Sequence, residues 1–166
     1  MRALALYVGR LRRSRLRSDF HKRIAGRVAE VYRGGWIVDV GCGPGLLGER
    51  IASLLPQARI VGVDVDPRMA QITRRETRAD VVLATSASLP FQTGSADVVV
   101  SSASVKDWGD RLGGLREIRR ILRREGVGLV FEFVTAGPEA APEGFRRRYG
   151  LVSDTRLMGA ISARFQ

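Results

Sequence analysis

Residues 36–45 read WIVDVGCGPG: a short run of strand-type residues that breaks into three glycines within five positions. Such a run, bounded by glycines, has the length and composition of a buried strand rather than a helix. Leu46, Leu47, Ile51, Leu54 and Leu55 then recur at helical spacing until Pro56 stops them. A strand that feeds a helix through glycines brings backbone N–H groups and a helix N-terminus close to a ligand. In open α/β sheets, ligands sit outside the carboxyl ends of the strands, where the chain reverses its direction of winding. Residues 36–55 therefore set both the fold class and the place to look for a site.

The same alternation continues downstream. RIVGV (59–63) reads as a second strand, and Asp66-Pro67 supplies a helix cap followed by proline at the first helical position. DVVLA (80–84) and ADVVVSS (96–102) are a third and a fourth strand, separated by the turn-like LPFQTGS (89–95). Leu112, Leu115, Ile118, Ile121 and Leu122 predict a helix over 110–124, and VGLVFEFV (127–134) a fifth strand. Upstream, Ser18 is the expected cap of a helix over 18–32. Phe20, Ile24, Val28, Val31 and Tyr32 form its apolar face, and Gly34-Gly35 stop it. Proline and glycine dominate 137–144, a short basic helix is expected at 143–149, and the tail predicts an antiparallel strand pair pivoting near Gly159. Strands alternating with helices give an α/β domain with a mostly parallel sheet.

Composition removes several classes. A chain of 166 residues suits one domain, and 45% apolar with 27% charged residues is not a disordered composition. No apolar run approaches the roughly 18 residues that span a bilayer, and the opening MRALALYVGR lacks a cleavage site of small residues. Cys42 is the lone cysteine and His21 the lone histidine, so an internal disulfide, a cysteine-based structural zinc site and a multi-histidine metal centre are excluded and no metal is expected. A cytoplasmic protein is the expectation. The net charge of +11 is concentrated: residues 1–35 hold nine Arg and one Lys against Asp19 and Glu30, whereas the other 131 residues contribute only +3. The basic residues are 26 Arg and two Lys, with no Asn anywhere, which suits nucleic-acid affinity, heat tolerance or simply Arg-favouring codons. The expected organisation is a basic helical N-terminal arm (1–35) and a ligand-binding domain (36–166) within one unit.

GPGLLG (43–48) also satisfies the dinucleotide pattern GxGxxG, with Asp64 at the spacing of a ribose-binding acid. The flanking residues separate the readings. An acid, Asp39, precedes the glycines in VDVGCGPG. VGVDVDPRM (61–69), LPFQTGSADVVVSS (89–102) and LREIRRILRREG (115–126) then follow in order. This set resembles the class I S-adenosylmethionine-dependent methyltransferases, within the small group that includes the ubiquinone/menaquinone-pathway enzymes. The resemblance runs from about Phe20 to the C-terminus, where YGLVSDTRLMGAISARF is similar to the family's closing strand pair. It implies a Rossmann-like, doubly wound, mostly parallel seven-stranded sheet ending in an antiparallel pair, with S-adenosylmethionine as cofactor.

By this resemblance Gly41, Cys42, Gly43 and Gly45 would lie against the cofactor's methionine part, and Asp39 would hold its ammonium end, directly or through water. Asp64 would accept from both ribose hydroxyls, Val65 would pack on the adenine, and Thr85-Ser86 would line its edge. Ser101 would lie under the methionine portion. Three departures stand out: Thr85 replaces the usual acid at the adenine amino group, Val105-Lys106-Asp107-Trp108 replaces a His pair before Trp, and Arg124-Glu125-Gly126 replaces Pro-Gly-Gly.

Methyl transfer from a sulfonium needs mainly an acceptor held in line, with a base added when the acceptor is a hydroxyl or protonated nitrogen. Lys106, Asp107 and His21 are the catalytic candidates, with Trp108 and Tyr7 beside them. Their plainer roles are a helix cap for Asp107, a solvated charge for Lys106, a surface position for His21, core packing for Trp108 and burial in a helix pair for Tyr7. Neither the Asn/Asp-Pro-Pro-aromatic sequence of amino-group methylases nor a base-attacking cysteine is present. A small-molecule acceptor covered by residues 1–35 is the leading expectation. The alternatives are an RNA methyltransferase with residues 1–35 on the phosphates, a silent cofactor-binding subunit, and a site completed by a homodimer copy or partner subunit.

Overall fold

Alternate residues of each apolar run face opposite sides of one sheet, and this divides the core in two. The computed structural model describes residues 2–77, 79–133, 151–153 and 160–165. Strands β1 (Trp36–Val40), β2 (Arg59–Asp64), β3 (Asp80–Leu83), β4 (Ala96–Ser102) and β5 (Leu122–Phe133) pair in parallel in the order β3-β2-β1-β4-β5. Val38, Val40, Val99 and Val130 face a layer that contains Leu115, Ile118 and Ile121 of α5 (Arg111–Ile121). Ile37, Val98, Val100, Leu129 and Phe131 face the other layer, built from α2 (Arg15–Val31) and α3 (Leu46–Leu54). There Ile24, Val28 and Ile51 are fully buried. The fold is a Rossmann-like α/β sandwich, as expected.

The chain winds outward from β1 to β3 and then returns to place β4 on the other side of β1. The crevice at this reversal opens at the carboxyl ends of β1 and β4, where a ligand is expected. At the opposite end Asp97 acts as a clamp. It accepts from the Trp36 backbone N–H at 2.6 Å and pairs with Arg123 at 2.6 Å. Gly35 (φ +88°) lies so close to this carboxylate that a Cβ there would overlap it.

Two boundaries differ from the sequence reading. Ser14, not Ser18, caps α2, accepting from the Arg17 N–H; Ser18 instead accepts from the Arg50 guanidinium at 2.8 Å. A separate helix α1 (Arg2–Arg13) precedes it. Helix α5 ends at Ile121 rather than 124, because Leu122 pairs with Ala96 and joins the sheet. Asp66 caps α4 (Pro67–Glu76) as expected. The basic helix expected at 143–149 and the pivot at Gly159 lie outside the described residues.

Candidate functional site

Gly41, Gly43 and Gly45 all take left-handed backbone angles, with φ of +75°, +53° and +76°. This conformation is open to glycine and costs other residues about 1–2 kcal/mol. The loop is held from both sides. Gly41 and Cys42 donate to the Val63 carbonyl, Gly43 donates to Asp64 Oδ2 at 2.7 Å, and the Gly43 carbonyl accepts from buried Thr73 Oγ1 at 2.9 Å. These amide groups are thus spent on the protein rather than offered as the donor cradle the sequence suggested. What the glycines provide is room. No atom lies within 4 Å of where a Gly43 Cβ would stand, whereas at Gly41 a Cβ would strike Ser104.

That room belongs to a cavity of about 470 Å3 between the glycine loop, the ends of β2 and β4, and the first two helices. Gly41, Cys42, Gly43, Asp64, Val65, Thr85, Ser86, Lys106, Asp107 and Trp108 line it, and so do Tyr7 and His21. Val65 is 69% exposed and Tyr7 51% exposed, so each offers a face to a ligand. Asp39, Gly45 and Ser101 do not reach the wall: Gly45 packs on Thr73 and Thr77 as the first cap of α3. Ser101 is fully buried and bonds Ser104 Oγ at 2.8 Å, and it is Ser104 that meets the cavity.

Asp39 is the anomaly. Its carboxylate is 1% exposed, and neither oxygen has a hydrogen-bond partner. Burial, reinforced by the nearby charge of Asp64, pushes its pKa up to about 7. A buried carboxylate without protein donors is costly, and a cation is what relieves it. Asp64 is better satisfied: besides Gly43 it accepts from the Asp66 N–H at 2.9 Å. Each of its oxygens keeps one further acceptor position.

The catalytic candidates fare differently. Lys106 and Asp107 pair with each other at 2.6 Å and are mostly exposed. Asp110, not Asp107, caps α5 by accepting from the Gly113 N–H at 2.8 Å. His21 is not a surface residue but 6% exposed, against Phe20. Burial and then the charges of Arg17 and Arg50 hold its pKa down at about 4. Tyr7 stands open rather than buried in a helix pair, and Trp108 packs partly against the core. The Cys42 thiol is pushed far up by burial and by Asp39, which makes it inert as a nucleophile. Sequence reasoning passed over Thr73 and Ser104, because hydroxyls in a helix and after a strand carry no distinguishing pattern. It also missed the cavity-lining Arg17 and Met69.

Residues 38–130 match the family described as methyltransferase domain. The chain belongs to that family. Among relatives of this methyltransferase domain, the malonyl-[acyl-carrier protein] O-methyltransferase of Legionella pneumophila is 34% identical over 112 residues, 64% of this chain and 38% of that protein. The ubiquinone/menaquinone biosynthesis C-methyltransferase of Geotalea uraniireducens is 31% identical over 122 residues, 69% of this chain and 52% of that protein. The chain thus spans about half or less of the length of these curated relatives. A SAM-dependent methyltransferase from Aquifex aeolicus shares the fold, with a TM-score of 0.68 at 14% identity over 86% of this chain and 89% of the other. S-adenosylmethionine is the cofactor this family membership brings.

Proposed function

We propose that the chain is an S-adenosylmethionine-dependent methyltransferase acting on a small-molecule acceptor. The orphaned carboxylate of Asp39, buried at the strand end behind the glycine loop, carries the reading, because it needs a cation and the cofactor's ammonium is one. When bound, the cofactor supplies a methyl group on a sulfonium that the acceptor displaces in line.

The residues' parts follow from their positions. Asp39, which stands behind the cavity wall, neutralises the ammonium through water. Gly41, Cys42 and Gly43 form the floor, with Gly45 turning the chain into α3. Asp64 orients the ribose through its remaining acceptor positions, Val65 covers the adenine, and Thr85 and Ser86 meet its edge with neutral hydroxyls. Ser101 acts through Ser104. Lys106 and Asp107 stand at the cavity wall as a mutually neutralised pair, so their part is shaping the acceptor site. His21, neutral at pH 7, presents an uncharged imidazole with one donor and one acceptor nitrogen. Residues 1–35 wall the acceptor side, and the burial of Ile24 and Val28 in one cluster with Ile37, Val98 and Val100 supports reading them as one unit with the sheet. The seven-stranded closure belongs to the same proposal. Leu151–Ser153 and Ala160–Phe165 are extended, and Phe165 and Ala160 stand opposite Gly128 and Phe133, which supports an antiparallel pair beyond β5.

Calorimetry with S-adenosylhomocysteine and with NAD tests the proposal. We expect the former to bind and Asp64→Ala to weaken it; binding of NAD alone overturns the reading. A second reading rests on Arg10, Arg13, Arg15, Arg23 and Arg33, which are exposed outside the cavity and suit an RNA acceptor. Tight, steeply salt-dependent binding of bulk tRNA would favour it. Binding of S-adenosylhomocysteine with no methylated product from a metabolite extract would favour a cofactor-binding subunit that needs a partner.

A further inference from the structure

A second cavity, of about 820 Å3, lies between the first two helices and helices α3 and α4. It adjoins the first, since Leu11, Arg17, His21 and Leu46 line both. Its charged wall is one-sided: Arg12, Arg17, Arg50 and Arg75 face two acids, Glu49 and Glu76. Both acids are engaged by the same residue, Arg12, at 3.5 and 2.9 Å. Four guanidiniums against two carboxylates leave the lining with a positive balance, to which α2, α3 and α4 each contribute an arginine. Arginine is the side chain suited to carboxylate and phosphate, which it meets through paired, charge-assisted hydrogen bonds.

We infer that this second cavity is an anion site that anchors a carboxylate or phosphate group of the methyl acceptor, with Arg17 and Arg50 as its principal ligands. The identification of the anion as part of the acceptor rests on the methyltransferase reading, because the shared lining places the anion at one end and the cofactor cavity at the other. His21, between the two cavities, is a buried neutral group that already registers this positive field. The charged groups around it are Arg17 on its own helix and Arg50 across on α3, and both hold its pKa down. An anion seated between these guanidiniums cancels part of their field and raises that pKa.

Because His21 is the chain's only histidine, its imidazole resonances report on this site without assignment ambiguity. The experiment titrates the full chain with inorganic phosphate, and separately with succinate, following His21 by NMR across acidic pH. We expect either anion to raise the His21 pKa by about one unit. Arg50→Gln and Arg17→Gln should weaken phosphate binding roughly tenfold, while Arg119→Gln, exposed on α5 and outside both cavities, leaves it unchanged. Arg50 is exposed, so its substitution does not endanger the fold. A His21 pKa that does not respond overturns the anion site, and so does a response lost equally in all three variants. S-adenosylhomocysteine binding in the same samples separates the two proposals. If it persists while His21 is silent, only the anion site falls. If it is absent while His21 responds, the assignment of the anion to a methyl acceptor falls.

Discussion

Two buried titratable side chains sit in this site with opposite perturbations. Asp39 has a folded-state pKa of about 7 against an ordinary value of 3.8, so as pH rises between these values the unfolded chain loses its proton first and stability falls. His21 has a folded-state pKa of about 4 against 6.5, so the unfolded chain binds the proton over that window and stability rises with pH. The two slopes oppose each other from pH 4 to 6.5, and each group's contribution is on the order of a few kcal/mol. Thermal melts should therefore show Asp39→Asn stabilised relative to the parent at pH 8 and little changed at pH 4. His21→Gln should be relatively stabilised at pH 4.5. Ligand binding carries the same signature. S-adenosylhomocysteine affinity should fall as pH drops from about 7.5 to 5.5, where Asp39 takes up its proton, and this dependence should vanish in Asp39→Asn. A parent whose affinity is flat over that range would mean that Asp39 does not meet the ammonium. Asp39 was legible in the sequence from its place before the glycines. Its lack of partners was not, because that depends on which donors the neighbouring elements present.

At the scale of elements, the sequence identified each of the five parallel strands and misjudged where helices begin and end. Ser18 looked like the cap because the apolar stripe of α2 becomes regular only at Phe20. The helix starts earlier, because Ser14 is placed to accept from the Arg17 N–H. Leu122 lies one helical turn beyond Ile118 and reads as helix, yet sheet pairing with Ala96 overrides that periodicity. The glycine loop shows how one element serves two purposes. Gly41→Ala adds a Cβ against Ser104 in a left-handed conformation and should cost about 2 kcal/mol or more of stability in urea unfolding. Gly43→Ala meets open space, so its cost should be limited to about 1 kcal/mol of backbone strain while its methyl intrudes on the cavity. We expect Gly41→Ala to show first as lost stability and Gly43→Ala as lost S-adenosylhomocysteine affinity. The reverse order would mean that the cavity does not extend over Gly43.

For the molecule as a whole, the net charge of +11 is mostly a property of residues 1–35, and the fold explains what these residues do. α2 is a core helix, whereas α1 is tied down by buried Val8 and by the Arg12 bridges to Glu49 and Glu76. Removal of residues 1–13 keeps the Ser14 cap and the α2 core contacts. It should leave S-adenosylhomocysteine affinity within about threefold while acceptor turnover drops by roughly tenfold or more. Equal losses in both would show that α1 serves the cofactor rather than the acceptor. Charge asymmetry was readable from the sequence, but the two adjoining cavities were not. They arise where the first four helices converge.

The clamp at Asp97 gives the sheet a polarity. One carboxylate fastens the start of β1 to Arg123 on β5, and Gly35 is pressed against it with no space for a side chain. All of this lies at the end of the sheet away from the glycine loop. The amino ends of the strands are thereby fixed independently of the carboxyl ends, which have fastenings of their own: Ser104 donates to the Val40 carbonyl at 3.1 Å and the Ala103 N–H to the Phe131 carbonyl at 2.7 Å. A change in a loop at the carboxyl ends therefore leaves this anchor untouched. The same framework can thus be re-equipped for new acceptors while its anchor stays constant.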